Sequence, residues 1–430
     1  MADSQTIHPD ASSEIPLQAQ LVDDGPIEAV LVEPEPIMAT LVEPEPVYPA
    51  LVPPEKQRGL IRRMLGGVAA VFRICFCLAS LVALLAFLTA IPIVQLVAFG
   101  YLLSVAGGLA NGGKLRQSLP QFRQAGQIGL AALAVLVAAL PTQLLAHWES
   151  VATLINPGSG QATAMRVLAI ASSVLATAYL LWAWVRGGRL KHYLWPQPIR
   201  FLREGWRWRT WRNAPDRLWD FTASLQLPQY FWLGARGAIG TLIWLIPAAV
   251  IIAAFREGET GLAGVIGFLA LVLLGAGMFY LPMLQAHFAA EGRFGALFEV
   301  REIRRCFRRA PWAWLFAMLV TLVLTPIPLY LLKIEATQQE VMWLPCLVFV
   351  AFILPARVCT GLALRRARRR PDPSGIWAGL NRWMVRFAMP LVVATYLLFV
   401  YVSQYTSWDG LATWVQQHAI LIPVPFVSGV

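Results

Sequence analysis

Long runs without a single Asp, Glu, Lys or Arg alternate with short charged stretches along this 430-residue chain. The uncharged runs are Ile74–Gly113, Gln124–Trp148, Val167–Val185, Gly237–Phe255, Thr260–Ala290, Ala310–Leu332, Val341–Ala356 and Phe387–Trp408. Seven of them reach the roughly 18 apolar residues that a helix needs to cross a bilayer; the eighth, Val341–Ala356, continues apolar past Arg357 to Leu364. The pattern predicts an all-α membrane protein, a bundle of about nine transmembrane helices. The count turns on Ile74–Gly113, whose 40 residues have basic loops on both sides and must return to the side they entered. Pro92, near the middle, is the natural turning point. A full hairpin there gives nine spans, and seven spans plus a re-entrant hairpin is the alternative. Internal Pro141, Pro247, Pro326, Pro328, Pro345 and Pro390 predict kinked helices whose freed carbonyls need neighbours. Gly234, Gly237, Gly240, Gly264, Gly267, Gly275 and Gly277 are small enough to let helices approach closely.

Charge orients this pattern. The segments 56–73, 114–123, 186–236, 291–309 and 365–386 carry 31 of the 35 Lys and Arg, while the intervening loops hold Arg166, Arg256 and Lys333. By the positive-inside rule the basic segments and the N-terminus face the cytoplasm, and a short external C-terminal segment, 409–430, follows the last span. The expected location is a bacterial cytoplasmic (inner) membrane.

Residues 1–55 are different in kind. They contain eleven Asp and Glu and no Lys or Arg, whereas the rest of the chain carries a balance of +22. Within 14–54 a ten-residue repeat begins with Leu-Val at Leu21, Leu31, Leu41 and Leu51, and closely spaced Pro forbids a helix. Strong like charge and few large apolar groups predict disorder. The tail reads as a spacer, as a multivalent array of Leu-Val motifs for a cytoplasmic protein partner, or as a ligand for the protein's own basic loops. The transmembrane domain is then 56–408.

Three basic segments qualify as membrane-surface elements. In Glu291–Pro311, Ala296, Val300, Ile303 and Phe307 fall on one helical face and Arg301, Arg304, Arg305 and Arg308 on the other. Such a helix suits an anionic inner leaflet, and Arg365 and Arg366 in the run Arg365–Arg370 are expected to contact lipid headgroups as well. Glu204–Phe221 interleaves Trp with Arg; its place in a short loop between spans favours interfacial anchoring, and no nucleic-acid partner is expected.

Catalytic patterns are missing from the sequence. Gly108–Lys114 has the spacing of a phosphate-binding loop, but Leu115 stands where Ser or Thr would hold magnesium. There is no HExxH and no GxSxG, and the five Cys have no metal-ligand spacing. No catalytic residue, metal or cofactor is therefore expected. His287 and Glu291, four apart, share a helix face. Gln95, Gln143 and Arg357 are polar groups at membrane depth, where such residues usually face the bundle interior.

The segments IPIVQLVAFGYLLSVAGGLANGGKLRQSLPQFRQAGQIG at 91–129, RLKHYLWPQPIRFLR at 189–203, LPQYFWLGARG at 227–237, HFAAEGRFGALFEVREIRRCFRRAPWAW at 287–314 and SQYTSW at 403–408 resemble a family of uncharacterised bacterial polytopic membrane proteins of a planctomycete type. The resemblance runs over roughly 60–430 and leaves out the acidic repeat. It implies a multi-span inner-membrane protein and carries no activity, substrate or cofactor. The expectations for function are a non-enzymatic membrane scaffold or assembly factor, then a permease-like carrier of a small or amphipathic solute, and last an intramembrane enzyme acting on lipid.

Overall fold

The structure is a computed structural model that describes residues 60–195, 197–205, 207–255, 261–328, 343–406 and 418–422. Every regular element among them is helical. The tail 1–55, the loop positions Arg256 and Lys333, and residues 409–417 and 423–430 lie outside the described residues.

The chain begins with α1 (Leu60–Ala90), α2 (Gln95–Ala110), the single turn α3 (Leu115–Ser118), α4 (Phe122–Ile155) and α5 (Gly160–Val185). Four short helices follow: α6 (Leu190–Leu194), α7 (Pro198–Glu204), α8 (Trp208–Arg212) and α9 (Ala214–Ser224). Then come α10 (Leu227–Phe255), α11 (Gly261–Glu291), a 3-10 turn at Phe294–Phe298, α12 (Val300–Arg309), α13 (Pro311–Leu319), a π-turn at Val320–Leu324, α14 (Trp343–Arg369) and α15 (Ile376–Thr406). Among the described residues eight helices are long and apolar enough to cross a membrane, and α2, with 16 residues, is a shorter apolar helix beside them. The protein is a multi-pass membrane protein of the all-α class.

The break expected at Pro92 is present. Proline cannot donate to the preceding turn, and residues 91–94 form a tight reversal in which Ile93 takes a positive φ of 69°. At 1.5 Å per residue α2 is about 24 Å long, less than the ~30 Å hydrocarbon layer. It can be short because protein surrounds it: Leu103, Val105, Ala106 and Leu109 are fully buried among α10, α11 and α14. Beyond α2 the chain runs alongside α1 again, in the same direction, with Gly126 against Cys77 and Gly129 against Ser80.

Glycine fixes the closest crossing. A Cβ on Gly100 would stand 1.8 Å from the Tyr230 carbonyl oxygen, and one on Gly234 would stand 1.9 Å from that of Leu96. Helices α2 and α10 therefore meet backbone to backbone. Not every glycine has this role, since a Cβ on Gly267 would meet nothing within 4 Å.

Helices α4 and α5 lie at the margin, joined by a Thr142–Ser172 hydroxyl bond of 3.0 Å. They leave Leu136, Leu140, Val174 and Leu175 exposed, which is the pattern of a lipid-facing pair. Of the expected proline positions, Pro141, Pro247 and Pro390 sit inside long helices, as do Pro282 and Pro355. Ahead of Pro326 the helix widens instead: Thr325 donates its N–H (3.0 Å) and its hydroxyl (2.8 Å) to the Val320 carbonyl.

Two expectations are refined. The amphipathic helix is real, but it starts at Val300, after the 3-10 turn that holds Ala296. Its apolar face, Ile303, Cys306 and Phe307, is buried against the bundle rather than laid on a leaflet, because α11 and α14 end beside it. Secondly, residues 418–422, expected beyond the last span, are packed into the core, with His418 and Leu421 fully buried.

Candidate functional site

The polar chemistry of the described residues gathers in two places. The first is inside the bundle. Arg357, two residues after Pro355 on α14, is 1% exposed. Its Nη1 donates to Gln285 Oε1 of α11 at 2.5 Å and its Nη2 donates to the Ile420 carbonyl at 2.9 Å. The guanidinium carbon lies 5.5 Å from the centre of the Phe99 ring on α2, within cation–π range. Gln285 is fully committed: Nε2 donates to Thr241 Oγ1 of α10 (2.6 Å) and to the Leu421 carbonyl (2.7 Å). Thr241 in turn donates to the Gly237 carbonyl at 2.8 Å. Tyr396 of α15 meets His418 Nδ1 at 2.6 Å through its hydroxyl. Helices α10, α11 and α14 and the C-terminal turn are thus held by one set of neutral acceptors around a buried cation. No carboxylate pairs with Arg357 among the described residues.

Such an arrangement is chemically conservative. A desolvated guanidinium is costly unless its donors are satisfied, and here carbonyl and amide oxygens take two of its nitrogens. Both Nη atoms point at protein, so the cluster works as a latch between helices.

The second place is the end of the bundle where α2, α11 and α14 finish together. His287, 3% exposed, receives Arg368 Nη2 on Nδ1 (2.8 Å) and donates Nε2–H to Glu299 Oε2 (2.8 Å). Because arginine can only donate, Nδ1 is the acceptor and Nε2 carries the proton. Arg293 adds a cation to Glu299 at 3.1 Å, and the bond from His287 and this pair hold the Glu299 carboxyl below its ordinary value. Arg368 also reaches Glu291 (2.7 Å) and Asn111 (2.9 Å), and Arg365 caps α2 by donating to the Gly113 carbonyl at 3.0 Å. Nearby, Arg309 pairs with Asp372 at 2.8 Å, which lowers the Asp372 carboxyl and raises the Arg309 guanidinium.

The residues expected at membrane depth do not form one site. Gln95 is buried at the start of α2, where its Oε1 has no hydrogen-bond partner among the described residues. Phe99, one turn on, covers Arg357 instead. Gln143 is on the exposed side of α4. His287 and Glu291 are brought together, but through Arg368 and not as a pair. No group of three or more potential metal ligands occurs among the described residues. Sequence reasoning missed Gln285, Arg368 and Glu299. The Pro282-x-x-Gln285 spacing echoes Pro92-x-x-Gln95, yet Pro92 lies in a helix break and Pro282 inside a helix, so the echo signalled nothing about the latch. Arg368 is one of five arginines between 365 and 370 and nothing local distinguishes it.

Arg301, Arg304, Arg305 and Arg308 are exposed on α12, and Arg366 is exposed near the end of α14. Arg304 leans on Tyr280, donating to its hydroxyl at 3.1 Å. Two concavities among the described residues lie apart from one another along the chain. One, of about 1000 Å³, lies between α13 and α14; the other, of about 590 Å³, lies among α5 to α9 and is lined by Lys191, His192 and Arg200.

No curated protein and no solved structure matches the chain. Residues 196–334, from α7 through α13 and beyond, match a family model described as "Protein of unknown function (DUF4013)", so over that span this multi-pass protein is similar to an uncharacterised family.

Proposed function

We propose that the protein is a non-enzymatic membrane scaffold or assembly factor of a bacterial inner membrane, with its basic end and acidic tail in the cytoplasm. The observation that carries this reading is how Arg357 is used. The most conspicuous intramembrane charge is spent on joining α10, α11, α14 and the 418–422 turn, beneath Phe99 and 1% exposed. Gln95 and Gln143, which a carrier would need to converge with it, do not bond to it. What is left on the outside is a dense basic end, suited to anionic lipid and acidic protein segments. The tail, residues 14–54, is the proposed recruiting element.

The test is crosslinking and pull-down from membranes with the full-length protein and with residues 1–55 deleted. A partner set that vanishes with the tail supports recruitment; an unchanged set removes the tail from the proposal. A solute carrier is the second reading, favoured by Arg357 Nε, which has no hydrogen-bond partner among the described residues. It requires 418–422 to leave its seat during transport. Uptake that is unaffected by Arg357→Gln would end that reading.

A further inference from the structure

The groove between α13 and α14 has a built polarity. Its upper rim is arginine: Arg365, Arg366, Arg369 and Arg370 all line it. Arg365 is engaged with the Gly113 carbonyl, whereas Arg366, Arg369 and Arg370 are exposed. Its lower walls are apolar. Leu362 and Cys359 of α14 face Ala313 and Phe316 of α13, and Leu362 and Phe316 are 43% and 58% exposed. From Arg366 to Cys359 the helix descends seven residues, or about 10 Å. Trp312 stands at the boundary between the two zones, its indole N–H donating to Asn381 at 3.1 Å. An indole at the junction of an apolar wall and a cationic rim is the signature of a membrane–water interface.

We infer that this groove is a discrete binding site for one anionic phospholipid, with the phosphate held by Arg366, Arg369 and Arg370 and the upper acyl chain lying along Leu362, Cys359 and Phe316. Charge complementarity selects an anion, and the length of apolar wall below the rim selects a lipid over a free phosphate or an acidic peptide. Basic pockets between transmembrane helices take anionic headgroups for this reason. The inference rests on membrane embedding and not on the scaffold reading. Tail deletion tests the latter and leaves this groove intact.

The test uses the full-length protein purified in mild detergent with phosphatidylglycerol and phosphatidylcholine in equal parts, and counts retained lipid by native mass spectrometry. The expected result is one retained phosphatidylglycerol per chain, and no phosphatidylcholine in its place. Replacing Arg366, Arg369 and Arg370 by Gln is expected to weaken retention by roughly ten-fold or more. Leu362→Trp, which fills the apolar wall and keeps every charge, should also expel the lipid. Should Leu362→Trp disturb folding, Phe316→Trp on the facing helix gives the same reading. The Gln substitutions at Arg301, Arg304 and Arg308 on α12 should leave retention unchanged. If the α12 variant loses as much lipid as the groove variant, the retained lipid is a general surface counter-ion and the site is refuted. Competition by glycerol phosphate as effective as by the lipid would refute the acyl contact, as would retention unaltered by both Trp variants.

Discussion

Gln285 is the side chain on which the interior latch depends, because its one amide oxygen and two amide hydrogens serve Arg357, Thr241 and Leu421 at once. Gln285→Leu would keep much of the volume and strand a buried guanidinium nitrogen and a buried carbonyl. Loss of an acceptor for a buried charge costs about 3 kcal/mol or more. Thermal unfolding of the purified protein in detergent should show a large drop for Gln285→Leu. A drop of about 1–2 kcal/mol is expected for Thr241→Val, which removes two neutral bonds, one from Gln285 and one to the Gly237 carbonyl. Equal effects would mean that the guanidinium contact contributes nothing beyond an ordinary hydrogen bond. At the basic end, Glu299 supplies a pH dependence whose sign follows from its partners. Its folded-state value lies below the ordinary carboxylate value of about 4.3, since protonation would forfeit His287 and Arg293. Its stabilisation is therefore complete above the ordinary value and is lost as pH falls through the lowered one; Asp372 beside Arg309 behaves alike. Acid unfolding of Glu299→Gln should be less steep than that of the parent. An identical acid profile would remove Glu299 from the account.

Among the elements, α2 shows how a helix too short for lipid is accommodated by being enclosed. Its crossing with α10 has no room for a methyl group at Gly100 or Gly234. Because the obstructing atoms are backbone oxygens, neither can rotate away. Gly100→Ala and Gly234→Ala should each cost about 1–3 kcal/mol or more, read from the unfolding midpoint or from the loss of folded protein in detergent. Gly267→Ala, with open space around it, should be neutral or slightly stabilising through helix propensity. Should all three behave alike, the close crossing is not what holds α2. Helix α12 illustrates a different limit. Its amphipathic pattern was legible in the residues, but a pattern reports which face is apolar and not whether lipid or protein covers it. The ends of α11 and α14 supply the cover, and the end of α14 is distant in sequence.

At the scale of the whole molecule, the C-terminal turn closes the core, because its Ile420 and Leu421 carbonyls accept hydrogen bonds from α14 and α11. Deleting 418–430 would leave Arg357 Nη2 and one Gln285 amide hydrogen without acceptors and would open the space that Ile420 and Leu421 fill. The truncated protein is expected to unfold at lower temperature and to expose α11 and α14 to proteolysis; undiminished stability would show that the turn is dispensable.

The long apolar helices, the reversal at Pro92 and the segregation of arginine were determined by the sequence alone. Each depends on local hydrophobic period, chain length or the missing N–H of proline, all of which are properties of neighbours along the chain. Partners across the bundle were decided by the tertiary structure. Arg357 finds Gln285 across 72 residues and Ile420 across 63, and Arg368 finds His287 across 81. A hydrogen bond requires two groups at about 3 Å, and no periodicity in one helix specifies which residue of another helix will stand there.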